Sequence, residues 1–251
     1  MSGIRRVLAT DIDGTLVGFG GENDLADYLA RRSDIGVIYL TGRTRHNAEG
    51  LIHRHNLPGP VALVTDTGAE VYWGRELRAD DRWAFQQRKD WSPRRVQDAL
   101  TSVPGVSYAG RSSHWRLAYR VESEDGLSSA RTHLIRAGVP ARTLWDPADG
   151  RLDVIPRGAL KGRALRYVLQ NLRITAHHCF VAGDAENDSD MLQGRYQGVL
   201  VANGSAELTL HLSDRIYRAN YPGAQGVLEG LRRWLKDDAA RPLASPPGFV
   251  S

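Results

Sequence analysis

The segment that most restricts the fold of this chain is residues 7–16, Val-Leu-Ala-Thr-Asp-Ile-Asp-Gly-Thr-Leu. An apolar strand pattern here ends in two aspartates two residues apart, and a glycine follows at once. Because side chains two apart in an extended backbone point to the same side, Asp11 and Asp13 can both face one reacting centre, and Gly14 lets the chain turn away. Carboxylates so placed can divide a reaction between them, one attacking as a nucleophile while the other moves a proton.

Two other interpretations of this segment have to be weighed. Asp11, Asp13 and Glu22 fit positions one, three and twelve of a calcium-binding EF-hand loop, but position six, which needs glycine, is Leu16. The residues before Asp11 also have the pattern of a strand rather than of a helix. A plain acidic turn after a strand stays open as long as this motif is taken alone.

A second strand pattern, residues 37–43, ends in Thr41, Gly42 and Arg43. The Thr41 hydroxyl and the Gly42 backbone N–H can both donate to a phosphate oxygen, although an ordinary strand-to-helix turn has the same residues. A third signal is Lys161, in the predicted first turn of a helix. Only three of the 33 basic residues are lysines, so a lysine at this position suggests a need for a compact charge that a guanidinium does not imitate.

The fourth motif, residues 179–188, is an apolar strand pattern followed by an acidic turn. Asp184 follows its strand as Asp11 follows the first one. These two carboxylates and the Asp13 backbone carbonyl are the hard oxygen ligands that Mg²⁺ prefers, and Asp188, one helical turn further on, can orient them. Taken alone, the segment also fits a solvated helix start.

The carboxyl ends of strands in open α/β sheets meet at one edge, which is where ligands bind. The order of the four motifs resembles that of the haloacid dehalogenase (HAD) superfamily of phosphohydrolases, over roughly residues 5–235. The resemblance implies an α/β fold, with a Rossmann-like parallel sheet core and an inserted α+β cap domain. It also implies an aspartyl-phosphate mechanism with these residues: catalytic Asp11 and Asp13; phosphate-binding Thr41, Gly42 and Lys161; Mg²⁺ ligands Asp11, Asp13, Asp184 and Asp188; and Asn187 behind the ligands.

Within that superfamily the chain resembles sucrose-phosphate phosphatases, in residues 41–46, 67–72, 115–119, 152–156 and 217–219. It departs from them at Gly14, where these enzymes often carry asparagine. The resemblance implies hydrolysis of sucrose 6-phosphate. Phosphatases for mannosylfructose phosphate or glucosylglycerol phosphate, sugar phosphomutases, and a non-catalytic module that binds sugar phosphates remain as alternatives.

The spacing of the motifs predicts an inserted domain. Between Arg43 and Lys161 lie 117 residues, whereas one or two βα units with short loops need only some tens. We therefore predict a catalytic core of residues 1–79 and 157–236, a cap domain of residues 80–156, and a flexible tail of residues 237–251. Within the cap, the patterns predict helices over 92–100 and 127–137 and a strand over 115–121.

A cap over the catalytic edge would exclude water and select the leaving group, so its inward-facing side chains are candidates for sugar contacts. The candidates are Trp115, Arg116, Tyr119 and His114 in the cap, with Arg43 and His46 beside the phosphate loop. Ordinary sheet packing is the alternative for the two large aromatic residues, and a surface charge is the alternative for Arg43 and His46.

Composition agrees with a globular enzyme: 41% of the 251 residues are hydrophobic and 25% are charged. The net charge is +4, but arginines alternate with acidic residues, so we expect no nucleic-acid partner.

The single cysteine, Cys179, is predicted to be a buried apolar side chain. No apolar run reaches the length of a membrane span, and the first is too short for a signal peptide. We expect a cytoplasmic protein whose partner is a small-molecule sugar phosphate, with the glycosyltransferase that makes it as a further partner left open.

Overall fold

The computed structural model describes residues 3–209 and 212–236. In chain order its strands are β1 (Arg6–Thr10), β2 (Ile35–Leu40), β3 (Ala62–Thr65), β4 (Glu70–Trp73), β5 (Arg78–Ala79), β6 (Val106–Ser113), β7 (Arg116–Val121), β8 (Ala141–Asp146), β9 (Arg151–Pro156), β10 (Cys179–Gly183), β11 (Gln197–Leu200) and β12 (Ile216–Arg218). Its helices are α1 (Glu22–Ala30), α2 (Arg45–Arg54), α3 (Asp81–Arg88), α4 (Pro93–Leu100), α5 (Glu124–Arg136), α6 (Lys161–Leu172), α7 (Ser189–Leu192), α8 (Ala206–Thr209) and α9 (Gly223–Leu235). Over these two ranges no helix combines the length and the apolar character needed to cross a membrane.

Eight strands form the main sheet, in the order β12-β11-β10-β1-β2-β3-β4-β5. The strands from β12 to β3 run parallel, and β4 and β5 extend the sheet as an antiparallel edge. β1 lies at the centre, where Thr10 is in register with Ala182 of β10 on one side and Tyr39 of β2 on the other. The chain segments that leave these three strands therefore meet at one edge. The predicted α/β fold with a parallel sheet core is confirmed.

Alternate side chains of each central strand pack into two separate layers, because successive residues of a strand point to opposite faces. Leu8 of β1 packs into the layer that holds apolar residues of α1, α2 and α9. Val7 and Ala9 pack into the other layer, with α6 and α7, and Cys179 is buried there as predicted. Helices on both faces explain why β1, β2 and β10 are apolar almost throughout rather than alternating.

A second sheet of four antiparallel strands has the order β6-β7-β9-β8. Leu117, Tyr119 and Val121 of β7 point to the face that packs against α4 and α5. Both helices begin at serine caps, since Ser92 accepts a hydrogen bond from Arg95 N and Ser123 accepts one from Gly126 N. The opposite face of β7 carries Arg116, Ala118 and Arg120.

The elements predicted for residues 80–156 are confirmed as α4, β7 and α5, the last beginning earlier than predicted, at Glu124, because Ser123 caps it. α3 lies in the same predicted segment, but its Trp83 packs in the layer of the main sheet that contains α6. The Trp83 ring nitrogen donates to Gly68 O at 3.0 Å, and its ring lies 4.8 Å from that of Tyr167. The domain boundaries stay predictions, and the position of Trp83 favours a cap that begins after α3. The predicted tail, residues 237–251, lies outside the described residues.

Candidate active site

Three carboxylates and one ammonium group meet at the carboxyl edge of the main sheet. Asp11 follows β1, Asp184 follows β10, and Asp188 lies one turn later; each offers an oxygen within 4.8 Å of the others. The side-chain nitrogen of Lys161, the first residue of α6, lies 2.8 Å from Asp11 Oδ1 and 2.7 Å from Asp188 Oδ1. It also donates to Asn187 Oδ1 at 3.3 Å. The structure thus brings together predicted site residues from three distant parts of the chain.

Most of this cluster is removed from water, since Lys161 and Asp188 are 0% exposed and Asp11 is 3% exposed, whereas Asp184 is partly buried. Burial raises the pKa of Asp11 well above its usual range, against the opposing effect of Lys161. Burial acts to lower the pKa of Lys161, but the Asp11 and Asp188 carboxylates outweigh it and raise that pKa. Burial also raises the pKa of Asp184 to about 6.

The donor set of the cluster fits a divalent cation. Three carboxyl groups surround a single ammonium group, so ionisation of all three leaves an excess of negative charge that a cation would offset. All the donors are hard oxygens, which suits Mg²⁺. Asp188 Oδ1 is engaged by Lys161, and its Oδ2 accepts hydrogen bonds from the backbone N–H groups of Asp184 and Ala185. Asp188 is therefore held rigidly beside the two strand-end aspartates.

Gly14 and Thr15 control the position of Asp184. The Thr15 hydroxyl donates to Asp184 Oδ1 at 2.6 Å. Gly14 has φ 75°, in the left-handed region, and a Cβ atom at this position would collide with the Asp184 carboxylate. A side chain at position 14 would therefore have to displace the Asp184 carboxylate, and glycine leaves this predicted metal ligand where it is.

The predicted phosphate-binding residues lie in the loop after β2. Thr41 is fully buried, and its hydroxyl oxygen accepts a hydrogen bond from the Arg43 backbone N–H at 3.1 Å. A hydroxyl group that accepts in this way keeps its own hydrogen for a phosphate oxygen. The loop continues into α2, where His46 is exposed.

Arg43, for which a sugar contact stays a prediction, contacts the second aspartate of the first motif. Its Nε lies 3.0 Å from Asp13 Oδ1 and 2.7 Å from Asp13 Oδ2, and its Nη2 lies 2.6 Å from Asp13 Oδ1. The Asp13 carboxylate raises the pKa of Arg43. The Asp13 side chain therefore lies outside the three-carboxylate cluster and is held by a guanidinium group, whereas its backbone carbonyl stays a predicted metal ligand.

The cap candidates differ in what they offer to a sugar. Trp115 and Tyr119 are each 2% exposed, and the Trp115 ring nitrogen donates to Glu70 Oε1 at 2.9 Å. His114 is exposed, and its ring lies edge-on to that of Trp115 at 4.7 Å. Arg116 is directed at the loop that holds Thr41, where its Nη2 donates to Gly42 O at 2.7 Å. Sugar contacts by these residues stay predictions.

Sequence reasoning did not identify several residues that support the site. The Asp190 carboxylate accepts from Gly162 N at 2.7 Å and so caps the helix that begins at Lys161. Asp66 and Thr67, which follow β3, contact Arg116 and the phosphate loop. Asp66 and Thr67 could have been found from the sequence, because residues 62–68 are a strand pattern that ends in Thr-Asp-Thr-Gly. The strand pattern before Thr41 ends in a similar way, in a hydroxyl residue and a glycine.

Comparison with known proteins agrees with this arrangement. Residues 4–235 match the family model described as sucrose-6F-phosphate phosphohydrolase. Mannosylfructose-phosphate phosphatase from Agrobacterium fabrum is 28% identical over 245 residues, which cover 91% of this chain and 96% of that protein. Glucosylglycerol-phosphate synthase from Pseudomonas anguilliseptica is 27% identical over 89% of this chain but only 30% of its own length. The X-ray structure of the sucrose-phosphatase from Synechocystis sp. PCC6803 in complex with sucrose and phosphate has a TM-score of 0.81 and 25% identity, covering 92% of this chain and 98% of that one.

Proposed function

This chain belongs to the sucrose-6F-phosphate phosphohydrolase family, and on that premise we propose that it hydrolyses sucrose 6-phosphate to sucrose and inorganic phosphate. It is a sugar-phosphate phosphatase of the HAD superfamily. The buried Lys161 between Asp11 and Asp188, with Asp184 beside them, carries the phosphatase part of the proposal, and the family match supports the choice of sucrose 6-phosphate. This arrangement combines a strand-end nucleophile, a fixed cation and a carboxylate set that suits a metal.

In the proposed mechanism Asp11 is the nucleophile. One of its carboxylate oxygens attacks phosphorus, the ester P–O bond breaks, and an aspartyl phosphate forms. Lys161, the Thr41 hydroxyl and the Gly42 amide offset the negative charge of the phosphoryl oxygens. Bound Mg²⁺, held by Asp11, the Asp13 carbonyl and Asp184 with Asp188 and Asn187 behind them, would supply further positive charge to those oxygens.

Asp13 is the proposed general acid and base. It gives a proton to the departing sugar oxygen and later takes one from the water that attacks the aspartyl phosphate. Arg43 contacts both carboxylate oxygens of Asp13, so its contact with one of them has to open before that oxygen can deliver a proton.

Hydrolysis of mannosylfructose phosphate is a second candidate, favoured by one specific observation. The Agrobacterium relative named for that activity matches over nearly the full length of both proteins. The catalytic edge is compatible with either ester, because the chemistry at phosphorus does not depend on which sugar leaves. Discrimination between the two substrates therefore belongs to the residues that face the leaving group.

The deciding experiment measures phosphate release from sucrose 6-phosphate, mannosylfructose phosphate, glucosylglycerol phosphate and simple hexose phosphates, with MgCl₂ and with EDTA. Asp11→Asn is the control for contaminating phosphatases. A strong, EDTA-sensitive preference for sucrose 6-phosphate supports the proposal, and a preference for another glycosyl phosphate replaces only the substrate. Conversion of one hexose phosphate into another without free phosphate would identify a phosphomutase.

A partnership with the glycosyltransferase that makes the substrate is supported by the match to part of a longer synthase. We propose that the two activities work together in the cytoplasm, so that the phosphate ester is hydrolysed where it is formed. Co-purification of this chain with the transferase tests the association. The surface variant Glu76→Arg is purified in the same way, to check that the association does not depend on non-specific charge effects.

A further inference from the structure

Three consecutive carbonyl groups, those of Thr41 and Gly42 in the phosphate loop and that of Arg43 directly after it, each accept a hydrogen bond from a distant residue. The backbone N–H of Thr67 donates to Thr41 O at 3.0 Å, and the N–H of Asp66 donates to Arg43 O at 2.9 Å. Between them, Nη2 of Arg116 donates to Gly42 O at 2.7 Å. Every peptide carbonyl of the loop is thus fixed by a partner outside it.

Two of these donors come from a backbone turn of unusual conformation. Asp66, Thr67 and Gly68 have φ angles of 47°, 60° and 107°, all in the left-handed region that residues with a Cβ atom rarely adopt. Such conformations persist only where the surrounding structure determines them, and they concentrate at functional sites. Here the turn directs two successive N–H groups at the phosphate loop, which a regular continuation of β3 would not do.

The third donor, Arg116, comes from the second sheet. Its side chain is 14% exposed and has several protein partners: Nη2 also donates to Thr67 Oγ1 at 3.2 Å, Nη1 donates to Asp153 Oδ2 at 3.0 Å, and Nε lies 3.6 Å from Asp66 Oδ1. Ser113, also of the second sheet, donates its hydroxyl hydrogen to Asp66 Oδ1 at 3.0 Å. One guanidinium group therefore joins the second sheet, the left-handed turn and the phosphate loop.

We propose that Arg116 is a positioning residue for phosphate hydrolysis, which acts through the Gly42 carbonyl rather than on the sugar. It fixes the peptide group between Gly42 and Arg43, and the left-handed turn fixes the peptide groups on either side. The loop is thereby held so that the Thr41 hydroxyl and the Gly42 N–H face the phosphate. This inference rests on the proposed function, because it assumes that the loop binds the phosphate group of the substrate. It gives the second sheet a part in phosphate binding as well as in substrate selection.

The test compares Arg116→Ala with Arg120→Ala. Arg120 is the matched control, because it lies four residues further along β7 on the same face and, among the residues that the structure describes, donates only to Asp149 O, at 3.1 Å. With MgCl₂ present, Arg116→Ala should weaken the binding of inorganic phosphate about tenfold and lower kcat/KM on the order of a hundredfold, the range expected for a lost hydrogen bond to a charged group. Amide hydrogen exchange in residues 41–43 and 66–67 should accelerate, and Arg120→Ala should change none of these quantities.

Added guanidinium ion at tens of millimolar should restore part of the phosphate affinity of Arg116→Ala, since it can occupy the space that the side chain leaves. Unchanged phosphate affinity and hydrogen exchange in a folded Arg116→Ala, or equal losses in both variants, would overturn the inference. If Arg116→Ala does not fold, Thr67→Val removes one partner of the guanidinium and should show the same losses to a smaller degree. If the wild-type protein releases phosphate from no ester, the proposed function fails, whereas phosphate affinity and hydrogen exchange still decide the role of Arg116.

Discussion

Arg43 holds both carboxylate oxygens of Asp13, with N···O distances of 2.6 to 3.0 Å. A guanidinium group that contacts both oxygens fixes the orientation of the carboxylate as well as its charge. Asp13, the residue proposed to transfer the proton, is thus held by Arg43, which follows the phosphate loop. The orientation of the Asp13 carboxylate therefore depends on the position of Arg43.

Replacing Arg43 should therefore affect proton transfer more than phosphate binding. We expect Arg43→Gln to lower kcat/KM for a sugar phosphate by about a hundredfold, because Asp13 loses a charged, two-point contact. The loss should be smaller for an aryl phosphate whose leaving group needs no proton. Steady-state kinetics on both esters measures the difference.

Arg45→Gln is the matched control for that variant, since Arg45 lies two residues away and, within the described part of the chain, pairs with Glu49 and the Tyr72 ring rather than with Asp13. Equal losses on the two esters in Arg43→Gln would show that Arg43 acts on the phosphate instead.

Asp13→Ala should leave the metal cluster in place, because the Asp13 side chain lies outside it. We expect kcat for a sugar phosphate to fall on the order of a hundredfold or more, the usual range for loss of a general acid. Phosphate release from an activated aryl ester should fall less. If both esters lose activity equally, Asp13 contributes through its position rather than through proton transfer.

Lys161→Met should destabilise the fold strongly, because it leaves Asp11 and Asp188 buried without their shared cation. Removal of one partner from a buried ion pair costs about 3–5 kcal/mol. Mg²⁺ should then raise the melting temperature of the variant more than that of the wild-type protein, since the metal becomes the remaining counter-charge. Thermal unfolding with and without MgCl₂ tests this, with Lys89→Met as a surface control; an equal Mg²⁺ effect in both proteins would contradict it.

Asp66 should make the free energy of unfolding depend on pH. Burial raises the pKa of Asp66 from 3.8 to about 6, with Arg116 opposing. The folded protein then binds more protons than the unfolded chain between those values, so this group lowers stability as pH rises from about 4 to about 6 and causes no further change above. Two pKa units correspond to roughly 3 kcal/mol.

Asp66→Asn removes the titration but keeps a side chain of similar size. We expect the difference in free energy of unfolding between wild-type protein and Asp66→Asn to change across pH 4–6 and to be constant above pH 7. Denaturant unfolding at several pH values measures it, and a difference that does not vary with pH would show that Asp66 titrates normally.

The sequence by itself determined the parallel α/β core and the residues that gather at its edge. Asp11, Thr41 and Asp184 each follow an apolar strand directly, and the geometry of parallel strands then brings such residues to a common edge wherever the strands lie side by side. The position of Lys161 could also be predicted from a local pattern, because this residue lies in the first turn of a helix whose apolar spacing is visible in the sequence. Each of these predictions required only local pattern and the general rule for open sheets.

Only the tertiary structure decided what the side chains contact across the chain. Sugar contacts were predicted for Arg43 and Arg116 and stay predictions, but nothing in the sequence indicated that their guanidinium groups contact Asp13 and the Gly42 carbonyl. The strand pattern that ends in residues 65–68 did not indicate the left-handed conformation of the turn at Asp66, since hydrogen bonds to residues far away in sequence stabilise that conformation. Long charged side chains reach several ångströms in many directions, so their partners follow from packing between elements and not from the order of residues.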